Sequence, residues 1–170
     1  MGGLAVSVRA EVRFTRDVDL AIVVDGDHEV EHLVRELSAV GYRVTARVEH
    51  GVHQRVATVR LTARSGVVVA LLAARSGIER EIVARAIAVS FDAAGPIPVA
   101  RAEDLLAMKV LSMTEKRLQD RIDAMGLVQA NPSLDLDAVR EDLNRITERG
   151  YHRNQDLAEK LEALLEAARS

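Results

Sequence analysis

GGLAVSVRAEVRFTRDVDLAIVV, residues 2–24, is the stretch that decides the fold. A glycine pair comes first, and LAVSVRAEVR (4–13) behind it is a predicted short helix. DVDLAIVV then climbs into a β-branched run, and residues 18–24 are a predicted buried strand. Where Thr15-Arg16-Asp17-Val18-Asp19 enters that strand, alternation of side chains puts Asp17 and Asp19 on one face and turns Val18 to the core. Two carboxylates so spaced can share or bridge divalent cations, and hard oxygen ligands suit magnesium or manganese. Two such metals clamp the attacking and leaving oxygens of a phosphoryl transfer. Gly2-Gly3 stands at the start of the predicted helix, where free N–H groups and the missing Cβ let a triphosphate come close. Ser7 adds a hydroxyl near the same place. Each part alone is common, and Asp-x-Asp by itself is usually a turn or surface pair. The ordered set of glycine pair, helix, Arg13, Thr15, Asp17-x-Asp19 and strand is far more specific.

The rest of the chain can be read outward from there. Asp25-Gly26-Asp27 is a turn with Asp27 as the expected N-cap. Val30, Leu33, Val34, Leu37 and Val40 have helical spacing over 28–40, and Gly41 is the expected residue just past the helix end. Strands are predicted at 43–49, 55–63 and 67–73, the last two joined by a tight turn at Arg64-Ser65-Gly66. A helix over 78–85, a strand over 86–91 and an extended Gly95-Pro96-Ile97-Pro98 link follow. From Ala102 onward the pattern is helical: 102–124, 135–148 and 153–168, with Asn131-Pro132-Ser133 between the first two. The fold class is therefore α+β, a mixed sheet with flanking helices and a helical C-terminal part. A single helix over 102–124 would set Lys109, Met113, Lys116, Asp120 and Asp123 on one stripe.

Composition narrows the chemistry. The 170 residues fit one domain, or one with a small helical appendage. There is no cysteine, which excludes disulfides, thiolate metal sites and a Cys nucleophile. Aromatics are 2%, so the core rests on Val, Leu, Ile and Ala and base-stacking platforms are disfavoured. No apolar run reaches the length of a membrane span and no signal peptide pattern is present, so a cytoplasmic protein is expected. Net charge is −3, yet arginines crowd the first third, which leaves room for a local basic face. No nucleophile elbow and no P-loop are found. His28 and His32 have metal-ligand spacing with no third ligand in view; His50, His53 and Tyr151-His152-Arg153 are weaker candidates for substrate contact.

The motif GGLAVSVRAEVRFTRDVDLAI resembles the polymerase-β-like nucleotidyltransferase superfamily, and within it the AbiEii/MenT-type toxins of prokaryotic toxin–antitoxin systems. SGIEREIVARA, AEDLLAMKVLS, KRLQDRID and RGYHRNQDL look like further segments of that group, so the likeness runs along nearly the whole chain. The resemblance implies a nucleotidyltransferase α/β core over 1–100 and a helical subdomain over 101–170 that completes the site. It implies Mg2+- or Mn2+-dependent transfer of a nucleoside monophosphate from NTP, release of pyrophosphate, and an RNA acceptor, often tRNA. It assigns Asp17 and Asp19 as metal ligands and catalytic groups, with Lys109 and Asp120. Gly2, Gly3, Ser7, Arg13, Thr15, Lys109 and Arg117 would bind the nucleotide. A cognate antitoxin or toxin protein is the implied partner; an antitoxin-type enzyme that modifies a partner protein, or a binding module without turnover, stands as the alternative.

Two departures stand out. Such enzymes carry a third carboxylate on a later strand, and here the matching strand reads Val69-Ala70-Leu71-Leu72. Three explanations are open: a copy that has lost activity, an enzyme that runs on two carboxylates with substrate phosphates as further ligands, or substitution by Glu79 or Asp92. Family members also have a helix and the start of a strand before the glycine pair, so an open sheet edge is expected here, or pairing with another chain.

Overall fold

The computed structural model describes the backbone of residues 1–11, 15, 17–50, 55–73, 77–91 and 94–169, and their side chains apart from 47–50 and 55–57. Arg13, Asp92 and His53 fall outside these residues.

The first helix, α1 (Gly2–Arg9), begins on the glycine pair itself and ends at Arg9, not over the expected 4–13. Strand β1 (Asp17–Ile22) opens on the first carboxylate. Helix α2 (Asp27–Ala39) is capped by Gly26, and Asp27, the expected cap, is its first residue. There Asp27 and Glu29 face the positive end of the helix dipole. Strands β2 (Arg43–His50), β3 (Arg55–Thr62) and β4 (Val68–Ala73) complete a four-stranded sheet in the order β1-β4-β3-β2. β1 runs parallel to β4, while β4–β3 and β3–β2 are antiparallel, so the sheet is mixed, as expected. β1 is an edge strand of the described sheet, paired with β4.

One face of the sheet is closed by α2. Val30 and Val34, four apart and therefore on one stripe, are buried against Val59, Leu61, Leu71 and Ala73. The alternate residues of the same strands, among them Asp19, Ala70 and Arg60, face the other way.

Helix α3 (Glu79–Arg85) leads to β5 (Ile87–Phe91) and β6 (Gly95–Val99). The stretch expected as an extended link is thus a strand, paired antiparallel with β5 in a separate two-stranded sheet. Pro96 and Pro98, which lack an N–H, are tolerated because each strand of such a ribbon is an edge.

Four helices follow: α4 (Ala102–Ser112), α5 (Leu118–Ala130), α6 (Leu136–Glu148) and α7 (Leu157–Arg169). The expected helix over 102–124 is therefore two, broken at 113–117. Met113 leaves the helical region at ψ 131 and its side chain is buried. A turn closes with Arg117 N–H donating to Thr114 O at 2.9 Å, and α5 folds back on α4. No glycine or proline marks the break. Burial of Met113 and docking of α5 on α4 outweigh the helical propensity of the segment. The last helix likewise starts at Leu157 and not at 153, because Arg153 and Asn154 adopt φ of 57° and 56°.

α4 is buried nearly all round, with Leu105, Leu106, Ala107, Val110 and Leu111 in the larger core. The amphipathic α6 and α7 contribute Leu143, Ile146, Leu161 and Leu165. α1 and α3 join this core through Ala5, Val6, Ile78 and Ile82. Arg85 of α3 ties it further, donating to the fully buried Asp104 (2.6 Å) and Asp142 (2.8 Å). Among the described residues no helix is long and apolar enough to cross a membrane.

Candidate functional site

Between the uncovered sheet face and the helical layer lies a cleft of about 1290 Å³. Its wall brings together Gly2, Gly3, Thr15, Asp17, Asp19, Lys109, Arg117 and Asp120. The candidate site residues singled out from the sequence thus meet in one place, save Ser7 and Arg13, the latter outside the described residues. Ser7 sits a turn along α1, with its hydroxyl donating to Gly3 O at 3.1 Å, and does not line the cleft.

The glycines are seats for Asp19. Gly2 has φ +69°, and a Cβ built on it would stand 1.7 Å from Asp19 Oδ2 and 2.5 Å from Asp19 Cγ. Only a residue without a side chain leaves room for the carboxylate there. The Gly3 N–H donates to the same carboxylate, and the Met1 nitrogen donates to Asp19 O at 2.7 Å. Burial pushes the Asp19 carboxyl above its ordinary pKa; Asp17 adds to the rise, while the Met1 amino group, Lys109 and the Gly3 N–H draw it back. A half-buried carboxylate beside a second one is a place where negative charge is under-compensated. A divalent cation would relieve it, so Asp17 and Asp19 fit a hard metal as a two-carboxylate pair.

No third acid joins them among the described residues. Ala70 is the Cα partner of Asp19 across the β1–β4 ladder, and it is buried. The position read from the sequence as the missing carboxylate is therefore the one directly beside Asp19. Glu79 lines the cleft and is buried. Even so, among the described residues no group of three His, Cys, Asp or Glu could hold a metal. Asp92 lies outside those residues.

The helical layer supplies the opposite wall. The break after α4 overturns the single-stripe arrangement and replaces it with a tighter one. Lys109 Nζ lies 2.7 Å from Asp120 Oδ1 and 2.7 Å from Asp123 Oδ2, bridging α4 to α5 through space. Arg117 Nε meets Asp120 Oδ2 at 2.7 Å, and Gln119 donates to Asp123 Oδ1 at 2.9 Å. Met113 is in the core and Lys116 is exposed, so neither belongs to this network.

The loop between α6 and α7, expected between the helices over 135–148 and 153–168 except for its last residues, also reaches the cleft. Gly150 (φ 78°) ends α6: its N–H donates to Thr147 O, and the Tyr151 N–H donates to Ile146 O. This pair of bonds is the Schellman closure, which requires the left-handed residue that glycine supplies. It delivers Arg149, Tyr151 and Arg153 to the wall. The Tyr151 ring packs on Gly77, and Arg149 pairs with Glu81 at 2.6 Å. The loop is bound to the α4–α5 break by α7. Lys160 Nζ donates to Met113 O (2.7 Å) and Gln155 Oε1 (2.5 Å), and Gln155 Nε2 donates to Leu111 O (3.4 Å). Burial lowers the Lys160 pKa, with Arg153 adding to it. Lys160→Met should cost about 1–2 kcal/mol through loss of charge-assisted bonds, or about 2–8 °C in a chain of this length, read by thermal melting.

The sequence gives Arg60 and Arg149 no place in the site, reaches Lys116 only through the single-helix stripe, and ranks Tyr151 and Arg153 as weak candidates. For Arg60 the signal was present, since period 2 from Ala70 and a hairpin register would have found it. His28 and His32 are on α2, away from this cleft, and His32 contacts Glu36 at 3.8 Å.

The chain matches the family described as Nucleotidyl transferase AbiEii toxin, Type IV TA system, over residues 1–170, its whole length, and it belongs to that family. It is thus a member of a nucleotidyltransferase toxin family of type IV toxin–antitoxin systems, for which a cognate antitoxin partner is implied. No curated protein matches the chain.

Proposed function

We propose that this protein is a polymerase-β-like nucleotidyltransferase that moves a nucleoside monophosphate from NTP to an acceptor, an RNA such as tRNA, in the cytoplasm. The observation that carries the reading is the convergence of Asp17 and Asp19, the glycine pair and the Lys109 network on one cleft. Asp17 and Asp19 would hold magnesium, or manganese, which supplies charge neutralisation on the triphosphate. Magnesium is commonly held by one or two carboxylates together with waters and substrate phosphates, so a two-carboxylate site is chemically adequate.

The chain's own residues then do the positioning. Gly2 and Gly3 hold the Asp19 carboxylate on the open face, and Thr15 lines the cleft with its hydroxyl donating to Asp17 O at 3.2 Å. Lys109, held by Asp120 and Asp123, presents a fixed cation toward Asp19. Arg117 adds a second cation on the rim. In the reaction an acceptor hydroxyl oxygen bonds to the α-phosphorus, the bond from that phosphorus to the bridging oxygen breaks, pyrophosphate leaves with the electron pair, and the hydroxyl proton passes to solvent. Position and charge neutralisation carry most of such a transfer, so no carboxylate base at position 70 is required.

The test is incubation with each radiolabelled NTP, magnesium and total tRNA. Label in RNA is the expected result; no transfer together with no NTP binding overturns the reading. Ala70 favours one other outcome, a nucleotide-binding module without turnover, in which NTP binds and no label moves. Label found instead on a co-purified protein would make the acceptor a partner.

A further inference from the structure

The basic side chains of the cleft fall into two kinds. Lys109, Arg117 and Arg149 are fixed in ion pairs with Asp120, Asp123 and Glu81. Arg60, Lys116 and Arg153 are exposed and, among the described residues, pair with no carboxylate. Of these three, Arg60 rises from the sheet itself. It is the Cα partner of Ala70 on β3, as Asp19 is on β1, so Asp19, Ala70 and Arg60 form one row across three strands. Neighbouring strands are about 4.8 Å apart, which sets the Asp19 and Arg60 backbones roughly 10 Å from each other. Directly opposed side chains have Cβ atoms only about 5 Å apart. A carboxylate at position 70 would therefore meet the Arg60 guanidinium and neutralise it, whereas a methyl group leaves that guanidinium available above the methyl.

We propose that Arg60 is a phosphate anchor of this cleft, holding a phosphate oxyanion of a bound substrate over Ala70. This rests on the nucleotidyl-transfer reading for what the phosphate belongs to, the NTP or the acceptor backbone. A guanidinium suits the role because its planar fork donates two parallel N–H bonds to a phosphate. The missing third carboxylate is then part of a charge exchange at the row, from an acid that ligates metal to a free cation that binds substrate.

The test uses the full chain as Arg60→Gln, Arg60→Lys, Ala70→Asp and the double variant Arg60→Gln/Ala70→Asp. Binding is measured for inorganic pyrophosphate, for a non-hydrolysable NTP analogue with magnesium, and for tRNA without nucleotide. Arg60→Gln should weaken at least one of these by about tenfold, the usual effect of one charge-assisted pair, and Arg60→Lys should recover most of it. Loss confined to pyrophosphate and the analogue assigns the nucleotide; loss confined to tRNA assigns the acceptor. The melting temperature reads the geometry: Ala70→Asp should be at least about 3 °C more destabilising in the Arg60→Gln background than in the wild type, because the buried carboxylate then lacks its partner. Equal binding of all three probes by Arg60→Gln, no binding of any by the wild type, or equal melting costs would each overturn the proposal. A wild type that transfers no label but binds pyrophosphate through Arg60 keeps the anchor and loses the transferase reading. Transfer with binding unchanged in Arg60→Gln does the reverse.

Discussion

Asp19→Asn is expected to lower nucleotidyl transfer by about a thousandfold while leaving the protein at least as stable as before. The rate effect follows from losing one of the two carboxylates proposed to hold the metal, worth several kcal/mol of charge stabilisation in the transition state, and about 1.4 kcal/mol is a factor of ten. The stability effect has the opposite sign. Burial and the neighbouring Asp17 raise the Asp19 pKa, so the fold disfavours its charged form. A group whose folded pKa is raised adds stability only when protonated, at low pH, and that contribution is lost as pH rises through the folded value. A neutral Asn at neutral pH therefore removes a strained charge. Gly2→Ala should reach a comparable loss of transfer by a different route. Its methyl would overlap Asp19 Oδ2 at 1.7 Å, and the alanine would also have to hold φ +69°. Initial rates of label transfer and melting curves on both variants check the pair. A Gly2→Ala protein with wild-type activity would show that the Asp19 carboxylate need not sit where it does.

Lys109→Met is expected to destabilise the fold by about 3–5 kcal/mol, the cost of breaking a buried ion pair from one side, or roughly 6–20 °C at this chain length. Asp120 and Asp123 have side chains 8% and 1% exposed, and Lys109 reaches both at 2.7 Å. Without the ammonium, two carboxylates one turn apart on α5 lie side by side against α4, with the Arg117 guanidinium still beside Asp120. Asp123→Asn in the Lys109→Met background should restore part of the loss, since it removes one of the two neighbouring negative charges that Lys109 had balanced. Asp123→Asn alone should cost less than Lys109→Met, because Lys109 keeps Asp120. Thermal or urea unfolding of the three variants checks the order. A Lys109→Met protein that melts with the wild type would mean that the network contributes charge to the cleft but nothing to the fold.

Much of the sheet was legible because it is written locally. Alternation in Asp17-Val18-Asp19, β-branched runs and the Arg64-Ser65-Gly66 turn each act over a few residues, and the strands and the hairpin appear where those signals are. The helix spacing of Val30, Val34 and Leu37 was equally local. The break at 113–117 was not legible, since neither proline nor glycine announces it and helical residues flank both sides. The β6 strand was hidden for the opposite reason: two prolines argued against a strand that an isolated ribbon can accept.

The sequence alone determined the α+β class, the two carboxylates on one strand face, the glycine pair before them and the alanine at the third position. The first three follow from short-range periodicity and from residue types whose chemistry does not depend on neighbours, and the alanine takes its meaning from the resemblance to the nucleotidyltransferases. The tertiary structure decided how they are used. It made the glycines a seat for Asp19, set Ala70 between Asp19 and Arg60, and folded α5 back so that Lys109 lies between Asp120 and Asp123. Strand register and helix docking are settled by burial of surfaces far apart in the chain, and those contacts have no signature in any one segment.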